Sequence, residues 1–199
     1  MQRYFTTAAS FLIMLSLGGV YSWSIIAAEL VEKYSWSTTQ TQLVFGLIIT
    51  VFPSTMLLAG KLERILSPKS MSLIAALFFG LGYLLAGLSG GKFIPSLLGL
   101  GVLAGIGTGF GYSVAMTTPV KWFPDNKGLI TGVASAGFGL ASVVLSNITE
   151  GFLLAGKDIL QLFTIIGIVY TAVILVSAFF LVAPLQLAPP KKVKVSIFL

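Results

Sequence analysis

The chain has 199 residues, of which 56% are hydrophobic and only 9% are charged, and its mean hydropathy is +1.00. Soluble domains do not have this composition, so most of the chain must lie in lipid. It contains no cysteine and no histidine, which excludes disulfides and removes the commonest metal ligand and proton carrier. The net charge of +6 lies in loops, so it predicts membrane topology rather than nucleic-acid binding.

Six apolar stretches are long enough to cross a hydrocarbon core of about 30 Å. The predicted spans are residues 6–30, 39–60, 70–90, 93–119, 128–154 and 159–182. The first is too long for the apolar region of a signal peptide and is expected to remain as a span. Short connections make neighbouring helices antiparallel. Residues 1–182 are therefore predicted to form a six-span bundle, followed by a Pro/Lys-rich tail at 183–199.

Local signals mark the start and the course of the second span. Residues 37–40 (STTQ) carry side-chain oxygens that can accept hydrogen bonds from the free N–H groups of a helix start. Pro53 is expected to kink the same helix further along.

Lysine and arginine are distributed unequally between the two sides of the predicted bundle. The side that holds both termini carries nine of these residues, and the other side carries three. By the positive-inside rule, both termini are predicted to be cytoplasmic, in a plasma or inner membrane.

The fourth and fifth spans are dense in glycine. Glycine recurs every four residues in the fourth span, at Gly101, Gly105 and Gly109 and again at Gly107 and Gly111. Such spacing clears a helix face for close packing, and Gly128 and Gly132 are expected to do the same in the fifth span. We therefore predict a close-packed hinge between these two spans, joined by the charged turn at 120–127.

A weak internal repeat relates the first span to the fourth. Residues 18–22 read GGVYS and residues 109–113 read GFGYS. Two three-helix units joined in this order enter the membrane from opposite faces, as in the inverted repeats of secondary transporters. Chance similarity between glycine-rich helices is the alternative.

Four polar or amphipathic side chains are predicted at or near the middle of the membrane, namely Tyr21, Trp23, Gln40 and Tyr112. An unpaired hydroxyl or amide in hydrocarbon costs about 4–8 kcal/mol, so these groups should face the bundle interior or a wet cavity. Hydrogen bonding between helices, without any ligand, is the alternative. No charged residue lies in the middle third of a span, and no nucleophile with a base, phosphate loop or metal cluster is present. An enzyme and a cofactor are therefore not expected.

Three segments carry most of a resemblance to a known family, and Thr39-Gln40-Thr41 and the loop after Gly60 add to it. The residues 19–24 (GVYSWS) and, above all, 111–116 (GYSVAM) with 121–129 (KWFPDNKGL) resemble the amino-terminal half of the oxalate:formate antiporter family, within the major facilitator superfamily. The resemblance implies an all-α membrane protein with six transmembrane helices in two inverted three-helix repeats, equal to one half of such a transporter. It also implies that Tyr21, Gln40 and Tyr112, with Trp23 nearby, bind a small organic anion.

The loop after the second span departs from the family pattern. Arg64 stands where an aspartate is normal and Ser67 where a glycine is normal, so Glu63 is the candidate replacement in an ion pair. The candidate gating residues are Gly60, Glu63, Arg64, Lys69, Lys121 and Asp125. The alternative is a solvated basic loop that serves topology alone.

The resemblance leaves the chain without the second half, which in the family supplies the cations that bind carboxylates. The expected function is antiport or symport of a small mono- or dicarboxylate by alternating access, with a second six-helix half supplied by homodimerisation or by a separate chain. The alternatives are an inactive fragment of a longer transporter and a non-transporting membrane scaffold or partner subunit.

Overall fold

A computed structural model describes residues 1–184, apart from the side chain of Tyr21. The α-helices in this range are α1 (Gln2–Leu17), α2 (Trp23–Tyr34), α3 (Thr38–Leu62), α4 (Pro68–Gly87), α5 (Phe93–Ser96), α6 (Gly105–Val120), α7 (Lys127–Leu154) and α8 (Ile159–Phe180). A 3-10 turn (Gly18–Ser22) joins α1 to α2, and a π-helical segment (Leu97–Ala104) joins α5 to α6.

Six helical stretches of the described residues are long and apolar enough to span a membrane. The first begins with α1, and the fourth runs from α5 through the π-helical segment to α6. The prediction of an all-α, six-span membrane protein is confirmed. The part of the predicted tail beyond Pro184 lies outside the described residues.

Side-chain caps fix where several helices begin. Ser37 Oγ accepts a hydrogen bond from the Gln40 N–H at 3.2 Å, and Gln40 Oε1 accepts one from the Ser37 N–H at 2.9 Å. This reciprocal pair satisfies two N–H groups that the helix itself cannot use. Ser67 Oγ also caps α4, by accepting a hydrogen bond from the Ser70 N–H at 3.1 Å, with Pro68 at the first helical position. The predicted start of the second span is confirmed.

The glycines of the fourth span face two different neighbours. Gly105 and Gly109 lie against α3, where a Cβ on Gly109 would stand 2.6 Å from Thr55 Cβ. Gly107 lies against the α4 backbone, with a Cβ position 2.8 Å from the Ala75 carbonyl oxygen. The close packing predicted for these glycines is present, because only hydrogen fits between the helices.

The predicted hinge between the fourth and fifth spans requires a correction. The glycine faces of the fourth span pack on α3 and α4 rather than on α7. No atom of the described residues lies within 4 Å of a Cβ built on Gly128 or Gly132. The glycines at the start of α7 therefore leave an open face instead of a packed one.

Helix packing follows an inverted repeat. The first span packs on the fourth, fifth and sixth, while the fourth packs on the first, second and third. Exchanging spans one to three with spans four to six leaves this set of contacts unchanged. One pair of contacts shows the same exchange between individual residues. A Cβ on Gly18 in the first span would meet the Phe138 carbonyl oxygen in the fifth, and a Cβ on Gly109 in the fourth span would meet the Phe52 carbonyl oxygen in the second. The predicted pair of inverted three-helix units is confirmed.

One end of the bundle, the basic face, is formed by the start of α1 and by the loops at 63–67 and 121–126. Aromatic rings and cations meet there, as is typical of the membrane interface. The Arg3 guanidinium carbon lies 5.5 Å from the ring centroid of Phe123. The Trp122 Nε1–H donates to the Val182 carbonyl oxygen at 2.7 Å, which ties the loop to the end of the sixth span.

Candidate functional site

Three aromatic side chains from α3, α6 and α7 meet near the middle of their helices, and we call them the aromatic triad. The rings of Phe52 and Phe138 are stacked with centroids 6.0 Å apart. The Tyr112 ring lies edge-on to both, at 5.3 Å from Phe52 and 5.1 Å from Phe138. These are favourable geometries for aromatic pairs. Tyr112, which the sequence predicts as a site residue, is half-buried here. The sequence did not predict Phe52 or Phe138 as part of the site.

Tyr21 and Trp23 lie where the first span changes from α1 to α2. Tyr21 belongs to the 3-10 turn, and Trp23 begins α2. The Trp23 side chain is 7% exposed, and its Nε1 has no hydrogen-bond partner within residues 1–184. A cavity of about 20 Å³ between Trp23, Tyr83 and Thr108 has room for one water molecule. The inward orientation of Trp23 agrees with its prediction as a buried polar group.

Gln40 does not lie in the middle of the membrane, so the expected depth was wrong. It is in the first turn of α3, and its side chain closes the cap with Ser37. The cap uses its amide oxygen to stabilise the helix start. Gln42 instead lines a groove of about 750 Å³ between α2 and α3, together with Trp23 and Glu32. Sequence reasoning missed Gln42.

Glu63 links the end of the second span to the fourth span at the basic face. Its Oε1 accepts hydrogen bonds from the Ser113 hydroxyl at 2.7 Å and from the Thr117 hydroxyl at 2.9 Å. Its Oε2 lies 3.8 Å from Lys121 Nζ. Because Ser113 and Thr117 are one turn apart on α6 with Lys121 just beyond, three contacts from one helix hold one carboxylate. Glu63, and not Arg64, therefore forms the ion pair of this loop.

The other candidate gating residues are separate from this cluster. Lys69 Nζ lies 4.2 Å from the ring centroid of Phe179, a cation–π contact with α8. Arg64 and Asp125 are exposed, and neither forms an ion pair with another residue in the described range. A Cβ on Gly60 would meet open space, so packing does not require glycine there.

A second polar network closes the opposite face of the bundle. The Tyr34 hydroxyl donates to the Asp158 carboxylate at 2.7 Å, and Lys33 Nζ lies 3.1 Å from it. Asp158 also caps α8 by accepting from the Leu160 N–H at 2.8 Å. Burial raises the pKa of Asp158, but these hydrogen bonds and the Lys33 charge outweigh burial and leave that pKa below its usual value. The network fixes α2 to the start of the sixth span.

Neither the groove between α2 and α3 nor the aromatic triad contains a lysine or an arginine among the described residues. The groove between α2 and α3 has Glu32 as the one charged residue in its lining over the described range. The aromatic triad supplies only ring faces and the Tyr112 hydroxyl to a solute. This part of the chain can bind an apolar or hydrogen-bonding portion of a solute, but the charge of an anion needs a partner from elsewhere.

Three relatives give the arrangement a family context. The chain is 29% identical to the oxalate:formate antiporter of Oxalobacter formigenes, over 98% of this chain and 46% of that protein. It is 32% identical to an uncharacterized MFS-type transporter of Escherichia coli (strain K12), over 71% of this chain and 35% of that protein. It is 36% identical to apicoplast pyruvate carrier 1 of Toxoplasma gondii, over 27% of this chain and 10% of that protein.

The chain spans less than half the length of each of these relatives. The family model described as Major Facilitator Superfamily matches residues 6–197. Together with the six apolar spans and their inverted repeat, this match identifies an integral, multi-pass membrane protein of a transporter family rather than of an enzyme family. The chain belongs to the major facilitator superfamily.

Proposed function

We propose that this chain is a six-helix half of a secondary transporter for small carboxylates, which works by alternating access with a second six-helix half. Two relatives that carry a substrate in their names are an oxalate:formate antiporter and a pyruvate carrier. Oxalate, formate and pyruvate are all small carboxylates. The proposal places the solute at the aromatic triad, with both termini in the cytoplasm as the charge distribution predicts.

The observation that carries the proposal is a pair of open helix faces. In α3, Gly46, Thr50 and Ser54 are exposed, and in α7 the exposed residues include Gly132 and Ser135. A Cβ on either glycine would have no neighbour within 4 Å among the described residues. Small and hydroxyl-bearing residues in a membrane favour contact with another helix over contact with lipid tails. These faces therefore suit a second bundle.

A second half would also supply the positive charge that a carboxylate needs and that the spans of this chain lack. No lysine or arginine lies in the middle third of a span, whereas a carboxylate leaving water needs a cation or several hydrogen-bond donors. In the proposed assembly the partner half supplies this cation, opposite Tyr112. Two copies of this chain would instead supply two triads around a two-fold axis.

Flux measurements test transport. The purified chain is placed in lipid vesicles loaded with oxalate, and the exchange of labelled oxalate, formate and lactate is measured. Tyr112→Phe removes the hydroxyl at the triad and is expected to lower exchange, while Tyr4→Phe, at the exposed basic face, is the matched control. If the purified chain forms a homodimer through its open faces and still moves no carboxylate, the chain is a scaffold or partner subunit and the proposal is wrong. Absence of flux from a monomer rejects transport by the chain alone.

Crosslinking distinguishes the possible partners, and the chain has no native cysteine to interfere. Thr50→Cys marks the open face of α3. Val176→Cys marks a position on α8, outside the open faces, where the native side chain is 61% exposed. A homodimer through the open faces forms a disulfide with the first variant and not with the second. A monomeric 21.1 kDa chain with neither crosslink excludes the homodimer and leaves a separate second half.

A further inference from the structure

A cavity of about 590 Å³ opens at the basic face, and no residue of the aromatic triad is in its lining. Its walls come from the end of α3, the start of α4, the end of α6, the start of α7 and the residues after α8. The volume is in the range of small-molecule sites. Glu63, Thr118, Lys121 and Lys127 supply the polar part of its lining.

Positive charge converges on this cavity from two sources. Lys121 and Lys127 contribute two ammonium groups against the one carboxylate of Glu63. Lys127 is also the first residue of α7, a helix of 28 residues that has no side-chain cap and no acidic residue in its first turn. The free N–H groups and the dipole of such a helix start favour an anion.

A buried hydroxyl gives an independent indication of a ligand. Thr118 lines the cavity and is 0% exposed, yet its Oγ1 has no hydrogen-bond partner within residues 1–184. The great majority of buried polar groups in proteins have a hydrogen-bond partner, so an unpaired one indicates a missing partner. A carboxylate oxygen in the cavity would accept a hydrogen bond from this hydroxyl.

The ion pair between Glu63 and Lys121 leaves Lys121 available. Their nearest charged atoms are 3.8 Å apart, and the lysine side chain is 42% exposed, which makes the pair weak. The other Glu63 oxygen is held separately by the hydroxyls of Ser113 and Thr117. An incoming carboxylate can therefore replace Glu63 at Lys121 while Glu63 keeps its two hydrogen bonds.

We propose that this cavity is a second anion site, which binds a small carboxylate through Lys121, Lys127 and the Thr118 hydroxyl in competition with Glu63. The choice of a carboxylate rests on the proposed function, whereas the anion site rests on the geometry. Binding would open the contact between Glu63 and Lys121 and so couple occupancy to the link between the second and fourth spans. In the cytoplasmic orientation proposed above, the site would collect the solute at the membrane surface.

The test measures binding by the full chain in detergent, so it requires neither a partner half nor transport. Trp122 follows Lys121 in the chain, and its Nε1–H donates to the Val182 carbonyl oxygen, next to Ala183 in the cavity lining, so the readout is tryptophan fluorescence. Oxalate, formate and acetate are titrated at constant ionic strength, with inorganic phosphate as a second arm. Nanodiscs of phosphatidylglycerol and of phosphatidylcholine form a third arm, since a lipid headgroup offers a similar oxyanion.

Variants of Lys121, Lys127 and Glu63 distinguish a role in anion binding from a purely structural role. Lys121→Gln and Lys127→Gln should each weaken carboxylate binding about fivefold, the loss expected for one part-exposed charge contact. Lys121→Arg should restore most of the affinity, which shows that the charge and not a folding defect is responsible. Glu63→Gln should tighten binding about fivefold by removing the competing charge, whereas loss of a merely structural residue would not increase affinity. Lys92→Gln, an exposed lysine on the opposite face, is the matched control and should change nothing.

Several results would overturn the second site. These are the absence of saturable binding of either carboxylate or phosphate, a signal that appears only with phosphatidylglycerol, or equal loss in Lys92→Gln. Equal binding of phosphate would confirm an anion site and reject its selectivity for carboxylates. Failure of vesicle transport by an assembled homodimer, with carboxylate binding intact, would reject the proposed function and leave the anion site standing.

Discussion

Replacing Asp158 with alanine perturbs the opposite face of the bundle at a point where several interactions share one carboxylate. Asp158 accepts hydrogen bonds from the Tyr34 hydroxyl and the Leu160 N–H, and Lys33 Nζ lies 3.1 Å away. Alanine removes the cap of α8 and the partner of Tyr34 in a single change. Lys33 can turn to Glu29, which is already 4.0 Å from it.

The loss can be estimated contact by contact. Removing an aspartate cap costs about 1 kcal/mol. Leaving the part-buried Tyr34 hydroxyl without its acceptor costs roughly 1–3 kcal/mol. The ion pair contributes at most about 1 kcal/mol, because the Lys33 side chain is 42% exposed. The variant should therefore lose about 2–5 kcal/mol, or roughly 4–20 °C in the unfolding midpoint of a chain of this size.

Thermal unfolding of the chain in detergent, followed by tryptophan fluorescence, measures this shift. Asp158→Asn keeps an oxygen that can cap α8 and accept from Tyr34, so it should lose less than half as much. Asp125→Ala is the matched control, since Asp125 is exposed and unpaired with any other residue in the described range. A midpoint for Asp158→Ala within about 2 °C of the wild type would refute the reasoning. Equal losses for alanine and asparagine would show that the charge alone matters.

Other changes test the remaining contacts. Gly107→Ala should lower the free energy of unfolding by about 1–3 kcal/mol, because a Cβ there has no space against the α4 backbone. Gly132→Ala should leave the unfolding midpoint unchanged or raise it, since no other helix among the described residues lies within 4 Å of a Cβ at that position. Trp36→Phe should cost roughly 1–3 kcal/mol in the same assay by leaving the Gly91 carbonyl oxygen without its 2.7 Å hydrogen bond, and full stability would contradict that role. The pKa of Asp158 is lowered in the folded chain, so its contribution is present above the usual value of 3.8 and lost as pH falls through the folded value. The wild type and Asp158→Asn should then converge in strong acid, and a constant difference would contradict the lowered pKa.

The features that the sequence predicts well are those that follow from a regular spacing of residues or from a local capping pattern. The glycines at four-residue spacing in the fourth span are closely packed as expected, because the spacing alone clears the helix face, but it did not predict that the neighbours are α3 and α4 rather than α7. The cap at Ser37 is equally local. The same cap explains the wrong depth expected for Gln40, since a residue that closes a helix start cannot also lie at the middle of the membrane.

Features that depend on contacts between distant residues could not be predicted in this way. The chain has 15 phenylalanines, and nothing local distinguishes Phe52 and Phe138 from the rest. Only the repeat that relates α3 to α7 brings them together. The departure at Arg64 pointed to Glu63, but its partners Ser113 and Thr117 lie 50 and 54 residues away. The open faces of α3 and α7 likewise become visible only after the other helices are in place.

The relation between Phe52 and Phe138 has a consequence for how the bundle can vary. Exchange of the two repeats carries each of these rings onto the other, and their centroids are 6.0 Å apart. The two side chains therefore pack directly against each other, and the size of each limits the space open to the other. A bulkier group at one position must be met by a smaller group at the other, so substitutions at this pair are expected to succeed together and to fail singly.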